Sequence, residues 1–135
     1  LQAAILKVKL NYLDEYARRR NEVAAYYDAN LSGNSAIEIP YRSSNSTHVF
    51  HQYTLKLKGI NRNDFRDHLA ANGVPTMVYY PVPLHLQKAY FQADFGEGSF
   101  PVTEKLSEIV ISLPIHTEMS GEQQDFIVST IKGYQ

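Results

Sequence analysis

No cysteine and no tryptophan occur among the 135 residues of this chain. The missing cysteine excludes disulfides, a thiolate nucleophile and cysteine-ligated metal sites together. It also fits a cytoplasmic protein. No apolar run approaches the roughly 20 residues of a membrane-spanning helix, and no secretory signal pattern opens the chain. Neither sign of charge dominates, with 13 basic against 14 acidic side chains and a net charge of -1. Nucleic acid and anionic membranes are therefore not the expected partners. Hydrophobic content of 44% and charged content of 20% are those of a globular domain, and 135 residues suit a single core. The chain opens at Leu1, inside what reads as a helix, and is expected to be a piece of a longer protein.

Periodicity predicts the elements. Residues 1–31 read as one long helix, with Leu6, Leu10, Leu13, Ala17, Val23, Tyr26 and Tyr27 as its stripe and Gly33 as a left-handed cap. Arg18-Arg19-Arg20 reads as a solvated face. A short edge strand is expected at Ile37-Glu38-Ile39, ended by Pro40. Strict alternation over 49–58 predicts a strand with Val49, His51, Tyr53, Leu55 and Leu57 on one face and Phe50, Gln52 and Thr54 on the other. Gly59 ends it. A helix follows over 61–72, capped by Asn61 or Asn63, with Phe65 and Leu69 inside and Gly73 behind it. Pro75 opens a strand over 76–80. Residues 88–95 read as a helical turn and 96–99 as a loop. Phe100-Pro101 starts a helix with apolar Val102, Leu106 and Ile109, Val110 to Leu113 is a buried strand, and Ser120 with Gln123 forms a capping box for a last helix that faces inward through Phe126, Ile127, Ile131 and Tyr134. The sum is a two-layer α/β domain: a small mixed or antiparallel sheet covered by helices, with a long N-terminal helix.

The most unusual stretch is Val78-Tyr79-Tyr80-Pro81-Val82-Pro83-Leu84-His85-Leu86-Gln87. Two prolines fix φ, and each pushes the residue before it into an extended geometry. The result is a stiff elbow that presents tyrosine, histidine and glutamine at set angles. Strand alternation through Tyr79 and Tyr80 would point them in opposite directions.

Catalytic constellations are absent. His48 and His51, three apart on a strand, point to opposite faces and make no metal pair. His51 reads first as a hydrogen-bonded core histidine, with a ligand contact as the competing role. His116 lies after Pro114, within reach of His85. Asp94-Phe95-Gly96 and Gly96-Glu97-Gly98 are chance matches to kinase and phosphate-loop patterns, and no serine sits in a nucleophile elbow. Lys88, the lysine nearest the elbow, reads as a surface residue. The residues make half of a site.

Several stretches together resemble one family. The opening Leu1-Gln2-Ala3-Ala4-Ile5-Leu6 with Lys9-Leu10 and Leu13-Asp14, the run His51-Gln52-Tyr53, the elbow Tyr80-Pro81-Val82-Pro83-Leu84-His85-Leu86-Gln87, then Phe100-Pro101-Val102-Thr103-Glu104-Lys105, Ile111-Ser112-Leu113-Pro114-Ile115 and Glu122-Gln123-Gln124 are similar, in order, to motifs of the nucleotide-sugar aminotransferases named after the DegT, DnrJ, EryC1 and StrS proteins. The resemblance implies the aspartate-aminotransferase fold (fold type I), of which this chain would be the C-terminal small domain. Residues 1–31 would then be the helix leading out of a large domain that carries pyridoxal phosphate on a lysine upstream of Leu1. It implies a homodimer and amino transfer, usually from glutamate, to a nucleotide-linked keto-sugar for polysaccharide, glycan or antibiotic synthesis. It implies no cofactor on this chain alone. Tyr79, Tyr80, His85, Gln87 and His51 become the expected substrate contacts. Where the family often has His-Tyr-Pro, this chain has Tyr79-Tyr80-Pro81. A phenol donates a hydrogen bond but carries no positive charge near neutral pH, since its pKa is about 10, which favours a sugar without a carboxylate. Two alternatives stand beside this reading: a sugar dehydratase of the same family, and a stand-alone binding module. The module would bury Leu1, Ile5 and Val8, whereas a detached domain would expose them.

Overall fold

The computed structural model describes residues 1–134. The first 31 residues form two helices where the sequence pattern predicted one: α1 (Gln2–Leu10) and α2 (Leu13–Leu31). The break falls at Asn11 and Tyr12, both weaker helix formers than the leucines and lysines around them. Tyr12 leaves helical geometry (φ -111°, ψ 5°) and its N–H turns back to the Lys9 carbonyl at 3.0 Å. No residue of α1 is buried. The expected left-handed cap at Gly33 is not formed. Positive φ among the glycines occurs at Gly59, Gly73 and Gly98.

Three antiparallel strands make the sheet, in the order β1 (Ile37–Glu38), β2 (Tyr53–Leu57), β3 (Val110–Leu113). Tyr53 pairs with Leu113, Leu55 with Ile111 and Leu57 with Ile37. Alternation therefore gathers these six residues on one face, and all six are buried. Against that face pack Val23, Ala24, Tyr27 and Leu31 of α2, Phe65 and Leu69 of α3 (Arg62–Ala71), and Ile127, Val128 and Ile131 of α5 (Gly121–Lys132). The two buried phenols are anchored. Tyr27 donates to the Pro114 carbonyl at 2.8 Å and Tyr53 to Asp28 at 2.7 Å, and burial pushes both hydroxyls far above their ordinary pKa.

Local signals are realised at the caps. The Asn61 side chain accepts from the Asn63 and Asp64 amides at the start of α3. Ser120 and Gln123 form the reciprocal capping box of α5. Ser120→Ala is expected to destabilise the fold by about 1 kcal/mol, measured as a lower denaturant midpoint at unchanged m-value.

Three expectations on packing are corrected. The strand over 49–58 is regular only from Tyr53. Phe50 adopts φ 47° and drives its ring into the core, while Val49 and His51 turn outward. A positive φ at an aromatic residue is an outlier. It is held here by burial of the ring and by the Arg42 guanidinium stacked 3.9 Å from its centroid. The strand over 76–80 reduces to one bridge between Met77 and Ser112. Val102, read as part of an apolar stripe, and Phe126, read as inward-facing, are exposed on α4 (Pro101–Ile109) and α5. The solvent-facing Arg18 and Arg19 of the arginine run also form ion pairs: Arg18 bonds Glu15 and Glu22, and Arg19 bonds Glu15 and Glu118. Two of these guanidinium groups hold the Glu15 carboxyl down to about 2. No helix among the described residues is long and apolar enough to cross a membrane.

Candidate functional site

The second face of the sheet carries the site. Thr54 and Val110 lie on it, and Thr54 shares a 2.8 Å hydroxyl bond with Ser112 across the strand pair. Helix α4 forms one wall above it, through Thr103, Leu106 and Ser107. The elbow forms the other, through Tyr79, Tyr80, Val82, Pro83, Leu84 and Gln87. Between them is an open cleft of about 640 Å³, a volume suited to a small organic ligand. The elbow is shaped by its prolines and by two 3₁₀ turns, Leu84–Leu86 and Lys88–Tyr90. The Gln87 amide nitrogen donates to the Val82 carbonyl at 3.2 Å, which closes the elbow on itself and leaves its carbonyl oxygen as an acceptor.

Both tyrosines line this cleft. The expected divergence fails because regular pairing stops at Met77, so strand alternation does not reach residues 79 and 80. Their rings meet edge to face at 5.9 Å, and among the described residues neither hydroxyl makes a hydrogen bond. Tyr79 also lines a smaller adjoining cleft of about 170 Å³ with His51, Gln52, Met77 and Ser112. His51 is exposed there rather than held in the core, because the turn at Phe50 reverses its side. His116 serves its own loop, accepting from the Glu118 amide at 3.2 Å.

His85 is not among the lining residues of the cleft. Its ring is mostly buried, stacks edge-on against Phe100 at 4.8 Å, and its Nε2 lies 2.9 Å from the Glu104 carboxylate. Glu104 also accepts the backbone N–H groups of Gly98 and Phe100. Those two amides, then His85, hold its carboxyl below the usual carboxylate range. The sequence reading passed over Glu104. The available signal was an acid in the first turn of a helix opening on Phe-Pro, a place where a carboxylate meets unpaired N–H groups.

The lining residues include no lysine, arginine, histidine or carboxylate. A pyridoxal phosphate site needs an amine for the aldehyde and donors for the phosphate. The cleft has no such amine, and Glu104 already occupies two N–H groups at the start of α4. The donors of this cleft therefore do not fit that cofactor. They fit a neutral, hydroxyl-rich ligand: phenols, an amide carbonyl and threonine beside apolar faces. Among the described residues no group of three or more histidines or carboxylates is placed to hold a metal ion.

Residues 1–132 match the model of the DegT/DnrJ/EryC1/StrS aminotransferase family. The chain belongs to this family. A curated member similar to it is the dTDP-3-amino-3,6-dideoxy-alpha-D-galactopyranose transaminase of Aneurinibacillus thermoaerophilus, 39% identical over 134 residues, a match that takes in 99% of this chain and 36% of the relative. The chain thus spans about a third of the length of the family members it matches. Among solved family structures, S. venezuelae DesV superposes with a TM-score of 0.91 at 34% identity, over 97% of this chain and 35% of that one. The putative sugar aminotransferase Spr1654 of Streptococcus pneumoniae, in its PLP form, superposes with a TM-score of 0.83 at 29% identity, over 93% of this chain and 32% of that one. The α/β architecture expected from the sequence, with its small antiparallel sheet, is thus that of the fold type I sugar aminotransferases.

Proposed function

We propose that this chain is the C-terminal small domain of a pyridoxal-phosphate-dependent aminotransferase that converts a nucleotide-linked keto-sugar to an amino sugar. It forms one wall of the sugar site. Tyr79, Tyr80 and Gln87 contact the substrate, His51 borders it beyond Tyr79, and His85 acts from behind the elbow. The observation that carries the reading is the make-up of the cleft: uncharged hydrogen-bonding groups suited to a sugar ring, with no amine or phosphate-binding donors of its own. That division matches a family whose curated members include nucleotide-sugar transaminases about three times as long. The lysine, the phosphate donors and the acid facing the pyridine ring belong to a preceding large domain. The protein acts as a cytoplasmic homodimer, and glutamate is the amino donor.

Helix α1 supports the domain assignment. Its Ile5, Leu6, Val8 and Leu10 are each at least half exposed, and Leu1 is fully so. A stand-alone module would bury these residues; a domain detached from its large partner exposes them. The positioning role needs no chemistry from this chain: it holds the sugar carbonyl in line for reaction and keeps water from that side. Full-length protein incubated with glutamate is expected to release about one equivalent of 2-oxoglutarate per bound cofactor without sugar, and to release it continuously only when a nucleotide-linked keto-sugar is present. No release beyond the first equivalent with dTDP- and UDP-linked keto-sugars alike contradicts the proposal.

A further inference from the structure

The two walls of the cleft come from distant parts of the chain, and a single polar contact joins them. Among the described residues, the only hydrogen bond from residues 78–95 to the remainder of the chain is that between His85 and Glu104. All others in this stretch are local: Leu86 N–H to Pro83, Gln87 N–H to Leu84, Tyr90 N–H to Gln87, Phe95 N–H to Gln92, and the Gln87 amide to Val82. The strand that precedes the elbow has its last ladder contact at Met77. The elbow therefore projects from the sheet as a closed unit, tied down at one point.

That point is well built. The His85 and Glu104 side chains are only 11% and 18% exposed. One Glu104 oxygen lies 2.9 Å from His85 Nε2 and 3.1 Å from the Phe100 N–H, and the Gly98 N–H is shared by both oxygens at 3.1 and 2.9 Å. Phe100 packs on the His85 ring at 4.8 Å and on Phe95 at 5.7 Å, which seals the contact from one side. One carboxylate thus fixes the loop before α4, the first turn of α4 and the elbow. Charge-assisted bonds of this kind are about twice as strong as neutral ones. Thr103, beside Glu104 on the same helix, lines the cleft, as do Gln87 and Leu84 on either side of the His85 segment.

We infer that His85 and Glu104 are positioning residues that set the distance between the elbow and α4, and with it the width of the sugar cleft, without touching the substrate. Glu104→Gln keeps the size of the side chain but leaves one carbonyl oxygen to serve three donors. Alanine at position 85 removes the tie, whereas glutamine there places an amide nitrogen near the position of the ring Nε2. The kinetic arm rests on the proposed aminotransferase activity; the exchange arm does not.

The experiment compares Glu104→Gln, His85→Ala and His85→Gln in the full-length protein. Glu104→Gln and His85→Ala are expected to raise KM for the nucleotide sugar about tenfold, the value of one charge-assisted bond, while KM for the amino donor and kcat change little. His85→Gln recovers most of the loss. In parallel, hydrogen exchange at the Gly98 and Phe100 amides quickens in Glu104→Gln, and exchange at the Leu86 and Gln87 amides quickens in both Glu104→Gln and His85→Ala. Sugar KM unchanged in His85→Ala, or His85→Gln no better than His85→Ala, overturns the inference. A purely structural role would instead lower the yield of folded protein and leave the KM of what remains unchanged. If Glu104→Gln does not fold, the histidine pair decides. If the full-length protein aminates no sugar, the functional reading falls and the exchange rates alone decide the tie: unchanged elbow exchange in His85→Ala refutes it.

Discussion

Leu55→Ala is expected to cost about 3 kcal/mol of folding stability, within the range for leucine truncation in a core. Leu55 sits at the centre of the middle strand, opposite Ile111, with no exposed surface. Pairing with β3 along residues 53–56 holds its backbone, which limits how far the surroundings can collapse into the space. A loss of this size is a large share of the total stability of a domain. It is read as a fall in the unfolding midpoint and in soluble yield. Leu6→Ala on α1, where leucine is 63% exposed, supplies the contrast. The isolated chain should barely notice that change, because truncating an exposed side chain leaves no cavity. A full-length enzyme in which α1 packs against the large domain should notice it. The pair of substitutions therefore separates this chain's own core from the surface that the proposed large domain would cover.

The second large effect is at Tyr79. This ring lines both the main cleft and the smaller one beside it. Tyr79→Ala merges the two spaces and removes a hydroxyl, and is expected to lower kcat/KM for the nucleotide sugar about a hundredfold in the full-length protein. Tyr79→Phe keeps the partition and loses one hydrogen bond, for about a tenfold loss. Tyr80, 71% exposed against 41% for Tyr79, has a smaller share of the wall within this chain. Its alanine variant should therefore fall between these two. Steady-state kinetics with cofactor content measured alongside checks the series. A loss that tracks cofactor content would mean the tyrosines hold the large domain rather than the sugar.

What could be read in the sequence follows from how far apart the decisive contacts lie. The caps of α3 and α5 were legible because donor and acceptor sit within three residues of each other. The core face of β2 was legible from Tyr53 onward because alternation there is matched by β3 along residues 53–56 and by β1 at Lys56 and Leu57. The pattern misled where the chain leaves regular pairing. At Phe50 a left-handed residue puts an aromatic ring inside and His51 outside, and no neighbour in sequence announces it. At Tyr79 and Tyr80 the strand has already ended, so both rings reach one cleft. His85 stood out because it follows two prolines, but its partner is 19 residues away. The stiffness of the elbow was visible from its prolines, whereas what holds it in place was not. The break in the first helix likewise has no breaker residue, only two weaker formers at Asn11 and Tyr12.

The cleft has taken its meaning from what it contains and what it omits. It offers hydroxyls, one amide and apolar walls, but no group able to carry out amino transfer. The central claim is that this wall serves a sugar in a transaminase. It is tested most directly by giving the full-length protein nitrogen-labelled glutamate and a nucleotide-linked keto-sugar, and weighing the sugar product. The labelled nitrogen is predicted in the sugar, at a rate that falls in Tyr79→Ala. A product that has lost water and gained no nitrogen would contradict the claim and identify a dehydratase. An unchanged sugar would contradict it as well.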